Sequence, residues 1–180
     1  MGGLWHLTKR FFGAIRPGPP GQDDERWARS HLLPGEVEIW SRMNNPDRRH
    51  AVGVARSVVA DPRLAVPPGE QIDREVVAAA LLHDSGKILC RFRTPSRVLA
   101  TVVWAVAPDE TADRWLAERS RGYRFRLAQY RKHPRLGSEL LQAAGAAPLT
   151  SRWAAEHHLP EAWWTVPVPV GQVLRDSDDD

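Results

Sequence analysis

The chain has 180 residues and a formal net charge of +3, from 25 lysine and arginine residues against 22 aspartate and glutamate residues. A charge this close to balance gives no strong indication of nucleic-acid binding. Cys90 is the only cysteine, so no intrachain disulfide can form, and a reducing, cytoplasmic location is the simplest expectation. The longest apolar run, residues 98–108, is shorter than the roughly 20 residues that a membrane-spanning helix needs.

Residues 1–22 differ in character from the rest of the chain. The apolar residues within 1–15 fall on one side of a helix, while Lys9 and Arg10 lie off that side and interrupt any signal-peptide core. A linker rich in proline and glycine follows. We expect a short amphipathic helix that docks on its own domain, with a weak contact to a membrane surface as the alternative. Its apolar residues are Leu4, Leu7, Phe11 and Ile15.

Helical periodicity continues through residues 23–180, which we take as one domain of all-α fold class. We expect Asp23 or Asp24, Asp47 and Asp73 to cap the N-termini of the helices that they open. We expect Gly86 to end the apolar helix that precedes it, as glycine often does at a helix C-terminus. The predicted helices lie at about residues 23–33, 34–43, 47–58, 73–82, 96–107, 110–119, 123–132, 134–144, 149–158 and 169–178.

The doublet His83–Asp84 stands at the end of a strongly apolar helix. Nearly every residue from 76 to 82 is hydrophobic, so that helix is expected to be buried. An ionised aspartate in such a place is costly unless it is paired or bound to metal. Imidazole and carboxylate together suit a transition metal, although a hydrogen bond between the two side chains would also explain the pair.

Further histidines and a C-terminal aspartate stand at or near the ends of other predicted helices. Helices that meet around a common point of a bundle would bring their side chains together. In the last helix Asp178 lies four residues after Leu174, on its inward side, whereas Asp176 turns outward. The histidines concerned are His50, His133, His157 and His158.

The ordered set of His, His-Asp, His, His-His and Asp resembles the HD-domain superfamily of metal-dependent phosphohydrolases. The most specific matches are Leu-Leu-His83-Asp84-Ser-Gly-Lys and His133-Pro-x-x-Gly-x-x-Leu-Leu. The segment after His158 reads Leu-Pro-Glu-Ala-Trp-Trp-Thr, without the Gly-Tyr-Pro motif of the cyclic-dinucleotide phosphodiesterase subgroup. The resemblance implies an HD-domain-like helical bundle for residues 23–180.

The same resemblance implies a function and a cofactor. The function is hydrolysis of a phosphomonoester, a phosphodiester or a nucleotide by metal-bound hydroxide, with Asp84 and Lys87 as catalytic residues and Lys87 near the substrate phosphate. The cofactor is a divalent metal, as two ions of manganese or iron, with magnesium, zinc, cobalt or nickel as further options. The implied ligands are His50, His83, Asp84 and Asp178 for the first or shared positions, and His133, His157 and His158 for the second.

Two other functions fit the same residues. Some enzymes of this superfamily use a similar ligand set as di-iron oxygenases, and a non-catalytic regulatory module could keep the fold. If the protein is a phosphohydrolase, the basic residues that flank His133 are candidates for binding further phosphates of a nucleotide. These residues are Arg131, Lys132 and Arg135. We expect the additional helical stretch at about residues 95–120 to cover the site.

Overall fold

The computed structural model describes residues 18–67, 70, 72–92, 94–108, 110–118 and 122–179. The amphipathic segment predicted for residues 1–15 lies outside these ranges. All regular secondary structure in the described part of the chain is helical, which confirms the all-α prediction. None of these helices is long and apolar enough to cross a membrane.

The helices alternate with short turns along the chain. Two of the connections contain single 3₁₀ turns, at Pro62–Leu64 and Glu161–Trp163. The α-helices are α1 (Gln22–Ser30), α2 (Pro34–Arg42), α3 (Asn45–Ala60), α4 (Arg74–Leu82), α5 (Lys87–Cys90), α6 (Thr94–Val106), α7 (Glu110–Ala117), α8 (Tyr123–Arg131), α9 (His133–Ala143), α10 (Pro148–Glu156) and α11 (Val168–Asp179).

Helix α4 is the centre of the larger of two hydrophobic cores. Every residue from Val76 to Leu82 is buried, as the unbroken apolar run predicts. Helices α3 and α10 pack against it, α9 packs on α10, and α11 packs on α3. Trp40 of α2 and Trp153 of α10 are fully buried in the same core. The helix that carries His83–Asp84 is therefore enclosed, and its C-terminal end is held at a fixed place.

Helices α5 to α8 form a second, smaller core beside the first. Its buried members include Cys90, Phe92 and Trp104, whose indole nitrogen donates to the carbonyl of Leu127 at 3.0 Å. The single cysteine, Cys90, is buried there as a free thiol. A fork of two hydrogen bonds from Arg97 on α6 to the Asp47 carboxylate, at 2.5 and 2.6 Å, joins this smaller core to α3.

Several predicted helix boundaries were wrong. Helix α3 is capped by Asn44, whose side chain accepts from the backbone nitrogen of Asp47, so Asp47 lies in the first turn instead of capping it. Helix α1 begins after Gly21 without a side-chain cap. Gly86 has a φ of −61° and precedes α5, so it does not serve as a left-handed helix end. Asp73 does cap α4, as predicted.

Candidate metal centre

Three histidine rings are oriented by the ends of the helices that precede them. Nδ1 of His83 lies 2.9 Å from the carbonyl oxygen of Ala80 in α4, and Nδ1 of His157 lies 3.0 Å from that of Ala154 in α10. Nδ1 of His133 lies 2.7 Å from the carbonyl oxygen of Tyr130 in α8. A carbonyl can only accept, so Nδ1 carries the proton in each ring and donates it. When the imidazole is neutral, Nε2 of each ring therefore carries the free lone pair, and a metal ion that binds a protonated ring displaces the proton from Nε2.

The three Nε2 atoms are buried and converge on one carboxylate. Asp84 Oδ2 lies 3.5 Å from Nε2 of His83, and Asp84 Oδ1 lies 3.3 Å from that of His133 and 3.8 Å from that of His157. None of these nitrogens has a hydrogen-bond partner among the residues that the structure describes. A buried polar atom without a partner is costly, and cations bound beside Asp84 would satisfy these lone pairs.

The predicted ligands form two groups of three. In the first triad (His50, His83 and Asp178) and in the second triad (His133, His157 and His158), one ligand atom from each residue lies within 4.8 Å of the others. Asp178 Oδ1 lies 2.8 Å from His50 Nε2 and 3.6 Å from His83 Nε2. Asp84 stands between the triads with one oxygen toward each. The predicted ligands are thus brought together, although they come from five separated parts of the chain.

The structure distinguishes between the two aspartates of the last helix. Asp178 turns toward His50, whereas Asp176 is exposed and pairs with Arg63 at 2.7 Å. This is the arrangement that the spacing from Leu174 indicates, because residues four apart share a helix face. Helix α3 supplies His50 and packs against α11, so the contact between these two helices builds one wall of the first triad.

The two triads differ in their electrostatics. Burial disfavours an imidazolium at His83, but Asp84 and Asp178 outweigh burial and raise the pKa of His83 to about 9. In the second triad, burial and the neighbouring His158 hold the pKa of His157 well below its usual value. Partial burial and His133 lower the pKa of His158 to about 4. The first triad therefore attracts positive charge, while the second offers neutral imidazoles.

The carboxylate of Asp84 is kept ionised by its neighbours. Burial would raise its pKa, but the charges of Lys87 and His83 hold that pKa well below the ordinary value for aspartate. Lys87 donates directly to Asp84 from one turn further along the chain. Burial lowers the pKa of Lys87, yet Asp84 and Asp47 together raise it, so its ammonium stays charged. Asp84 and Lys87, the two predicted catalytic residues, thus form one ion pair at the edge of both triads.

Three helices point their C-terminal ends at this centre. The carbonyl groups that hold His83, His133 and His157 belong to the last turns of α4, α8 and α10. A helix carries a partial negative charge of roughly half an electron at its C-terminus, which stabilises a cation placed there. Helix α9 begins at His133, so the partial positive charge at its N-terminus offsets part of this effect.

Two buried acidic residues near the site make contacts that were not predicted from the sequence. Asp47 lies one turn before His50 in α3. Its carboxylate forms an ion pair with Arg97 of α6, a helix of the smaller core. Glu156, directly before His157, accepts from the backbone nitrogen of Thr165 at 2.7 Å and from that of Val166 at 3.2 Å. No local pattern marks these contacts, because each partner lies in a different element. Both carboxylates hold the elements that carry candidate ligands.

Replacing Glu156 with glutamine is expected to lower the free energy of unfolding by about 1–3 kcal/mol. An uncharged amide oxygen accepts the two backbone N–H bonds more weakly than a carboxylate oxygen does, and the amide NH₂ group cannot accept from the Thr165 hydroxyl. Urea denaturation of the metal-free protein would measure the loss of stability. Glu139→Gln is the matched control, since Glu139 is exposed on α9 and pairs only with nearby Arg135. If the two variants unfolded at the same urea concentration, a structural role for Glu156 would be contradicted.

Two of the basic residues near His133 have acidic partners in the structure. Lys132 pairs with Asp113 at 2.8 Å, and Arg135 pairs with Glu139 at 2.9 Å on the surface. Both cations are therefore already compensated. Lys87, which contacts the carboxylate between the two triads, is the basic residue most directly placed at the centre.

The arrangement can hold cations through seven side chains of mixed imidazole and carboxylate type. Such ligands suit manganese, iron, cobalt, nickel and zinc. Comparison of the chain with protein-family models, with curated proteins and with solved structures found no match.

Proposed function

We propose that the protein is a metal-dependent phosphohydrolase that acts on a phosphomonoester, a phosphodiester or a nucleotide. The supporting observation is the convergence of three buried, unpartnered imidazole nitrogens on the Asp84 carboxylate. The resemblance of the ligand order to the HD-domain superfamily supports the same proposal. The proposed cofactor is a pair of divalent ions, manganese or iron, one for each triad.

The two triads would play unequal parts. Two ions close together polarise a phosphoryl group and lower the pKa of a water molecule, which makes water a nucleophile near neutral pH. The first triad, with Asp178 and a share of Asp84, offsets more of the cation charge than the second. The second triad has only neutral imidazoles besides its share of Asp84, so it leaves its ion the more electrophilic of the two.

Lys87 would stabilise charge on the substrate. Its ammonium is charged at neutral pH and is held beside the triads by Asp84. A phosphate group that enters the centre would share this ammonium with the carboxylate, and such charge-assisted hydrogen bonds are stronger than neutral ones. The least buried ligands are His50 and His158, so we expect the substrate to approach from their side of the centre.

The test begins with protein stripped of metal by a chelator and then loaded with manganese or with iron. Elemental analysis should find two equivalents, and the loaded protein should hydrolyse members of a panel of nitrophenyl phosphates, phosphodiesters and nucleotides. His133→Ala removes one ligand of the second triad and should leave about one equivalent with little turnover. A loaded protein that hydrolyses no member of the panel would overturn the proposal.

The same preparation distinguishes the two alternative functions. Hydrolysis by the manganese form without oxygen would exclude a requirement for di-iron oxygenase chemistry. Oxygen consumption by the iron form, together with a mixed-valent iron signal, would support the oxygenase instead. Two bound ions with neither reaction would leave a regulatory module as the better account.

A further inference from the structure

Helix α6 has apolar residues on its outer side as well as on its inner side. Ala100 and Trp104 point into the smaller core, as a surface helix requires. On the opposite side, four large aliphatic side chains are between 48% and 85% exposed. They repeat at intervals of three and four residues, which places them on one continuous face. This outer face consists of Val98, Leu99, Val102 and Val106.

An outer face of this kind is unusual for a helix in contact with water. Surface helices normally carry polar or charged residues opposite their buried side, and a helix that is apolar all round is normally covered on both sides. Single exposed aliphatic residues need no explanation, but a contiguous group of them marks an interaction site. Among the residues that the structure describes, no other helix has as many exposed large hydrophobic side chains.

The part of the chain that contains α6 is strongly basic. Residues 87–132 include eleven lysine and arginine residues against four acidic ones, while the rest of the chain has more acidic than basic residues. Helix α6 itself has no acidic residue along its length. Three of these cations pair with carboxylates: Lys87 with Asp84, Arg97 with Asp47 and Lys132 with Asp113. The other eight still outnumber the three remaining acidic residues of this segment, which also contains the outer apolar face.

We propose that the outer face of α6 is a docking surface for an anionic lipid bilayer. Four aliphatic side chains would enter the headgroup region, and the basic residues of the same unit would be attracted to the negative surface potential. The α6 face is aliphatic and of modest area, so neither contribution alone gives stable attachment. The protein would then bind membranes peripherally and reversibly, in a manner that depends on salt and on lipid charge.

A second copy of the chain fits this surface less well. Two units with the same large positive charge repel each other when they are brought face to face. Stable protein interfaces bury roughly 800 Å² on each partner, and four aliphatic residues on one helix cannot supply this area alone. A negatively charged lipid surface removes the repulsion and covers the apolar side chains together.

Co-sedimentation of the full chain with lipid vesicles would test the proposal. We expect binding to phosphatidylcholine vesicles that contain about 30% phosphatidylserine, little binding to pure phosphatidylcholine, and release as sodium chloride rises from about 0.1 to about 0.5 M. The variant Val102→Glu/Val106→Glu should reduce the partition coefficient at least about tenfold, because it places charge within the inserted face. Val59→Glu, at a 43% exposed valine of α3, should bind as the unsubstituted chain does.

Two further variants separate the alternatives. Leu7→Glu/Phe11→Glu alters the N-terminal segment alone, and some binding through α6 should remain. Val106→Cys places one exposed thiol in a chain whose own cysteine is buried, so an environment-sensitive dye there should shift to the blue with anionic vesicles. Equal binding by the α6 variant and the unsubstituted chain would overturn the proposal. A dimer in sedimentation velocity that only the α6 substitutions dissociate would also overturn it, in favour of a second copy.

Discussion

Replacement of Asp84 with asparagine is expected to remove both of the proposed metal ions and to reduce the proposed hydrolysis by at least about a thousandfold. The reason is that Asp84 faces both triads, with Oδ2 toward His83 and Oδ1 toward His133 and His157. An amide has no negative charge to offset the cations, and its NH₂ group would point at one set of lone pairs. Elemental analysis and kcat/KM on the best substrate of the panel would measure the two effects.

Asp84→Asn also leaves Lys87 without its carboxylate partner. Removing one member of a buried ion pair typically costs about 3–5 kcal/mol, so the variant should be less stable as well as inactive. The variant Asp84→Asn/Lys87→Gln removes both charges and should recover stability without recovering metal. Asp176→Asn is the matched control in the last helix, because Asp176 pairs with Arg63 at the surface, and such pairs contribute little. Two equivalents of metal in Asp84→Asn would contradict the assignment of this residue.

Gly86→Ala is expected to lower the free energy of unfolding by about 3 kcal/mol and to disturb the second triad. A Cβ atom at residue 86 would lie 2.0 Å from the carbonyl oxygen of His133 and 2.8 Å from the backbone nitrogen of Gly137. The atoms in the way belong to backbone, so they cannot move aside as a flexible side chain would. Helix α9 must shift, and His133 shifts with it away from Asp84. Urea denaturation and metal content would measure the two consequences.

Gly53→Ala provides the control for this substitution. Gly53 lies within α3, and a Cβ atom there would meet no atom within 4 Å. Alanine at an unobstructed helix interior is favoured over glycine by about 0.5–1 kcal/mol, so this variant should be slightly more stable than the unsubstituted protein. If Gly86→Ala were as stable as Gly53→Ala, the close approach between α5 and α9 would not constrain the fold.

The outlines of the helices could be predicted from the sequence because their signals are local. The apolar run before His83 predicted a buried helix, and Pro34 marked the first turn of α2, where it is found. Asp47 was assigned as a cap because it precedes the apolar positions of α3. Asn44 takes that role, since Pro46 already stands in the first turn and the chain must be capped before it.

Non-local contacts could not be predicted in the same way. Glycine near the end of a helix usually supplies a left-handed residue, but Gly86 is needed because α9 comes within contact distance of its Cα. The fork between Arg97 and Asp47 joins residues 50 positions apart and depends on how α6 packs. The spacing of residues along the sequence does not indicate either contact.

The candidate site was predictable in its members and less so in its grouping. The order of histidines and aspartates indicated the ligands through a family resemblance, and the geometry groups six of them into two triads with Asp84 between. The orientation of the histidine rings could not be predicted, because it depends on which backbone carbonyl accepts a hydrogen bond from each Nδ1. The sequence did predict that Asp178, and not Asp176, faces the site, because Asp178 lies four residues after Leu174 and so shares its side of the helix.

If the proposed ions bind here, the hydrogen bonds from Nδ1 to helix-terminal carbonyls already fix the direction of the three Nε2 atoms that would coordinate them. Little conformational entropy is then lost on loading, and the empty and filled proteins should share one backbone. An ion could leave and a different one enter without unfolding. Which element occupies the centre in a cell would follow the local supply of metals and the Irving–Williams order more than any reshaping of the polypeptide.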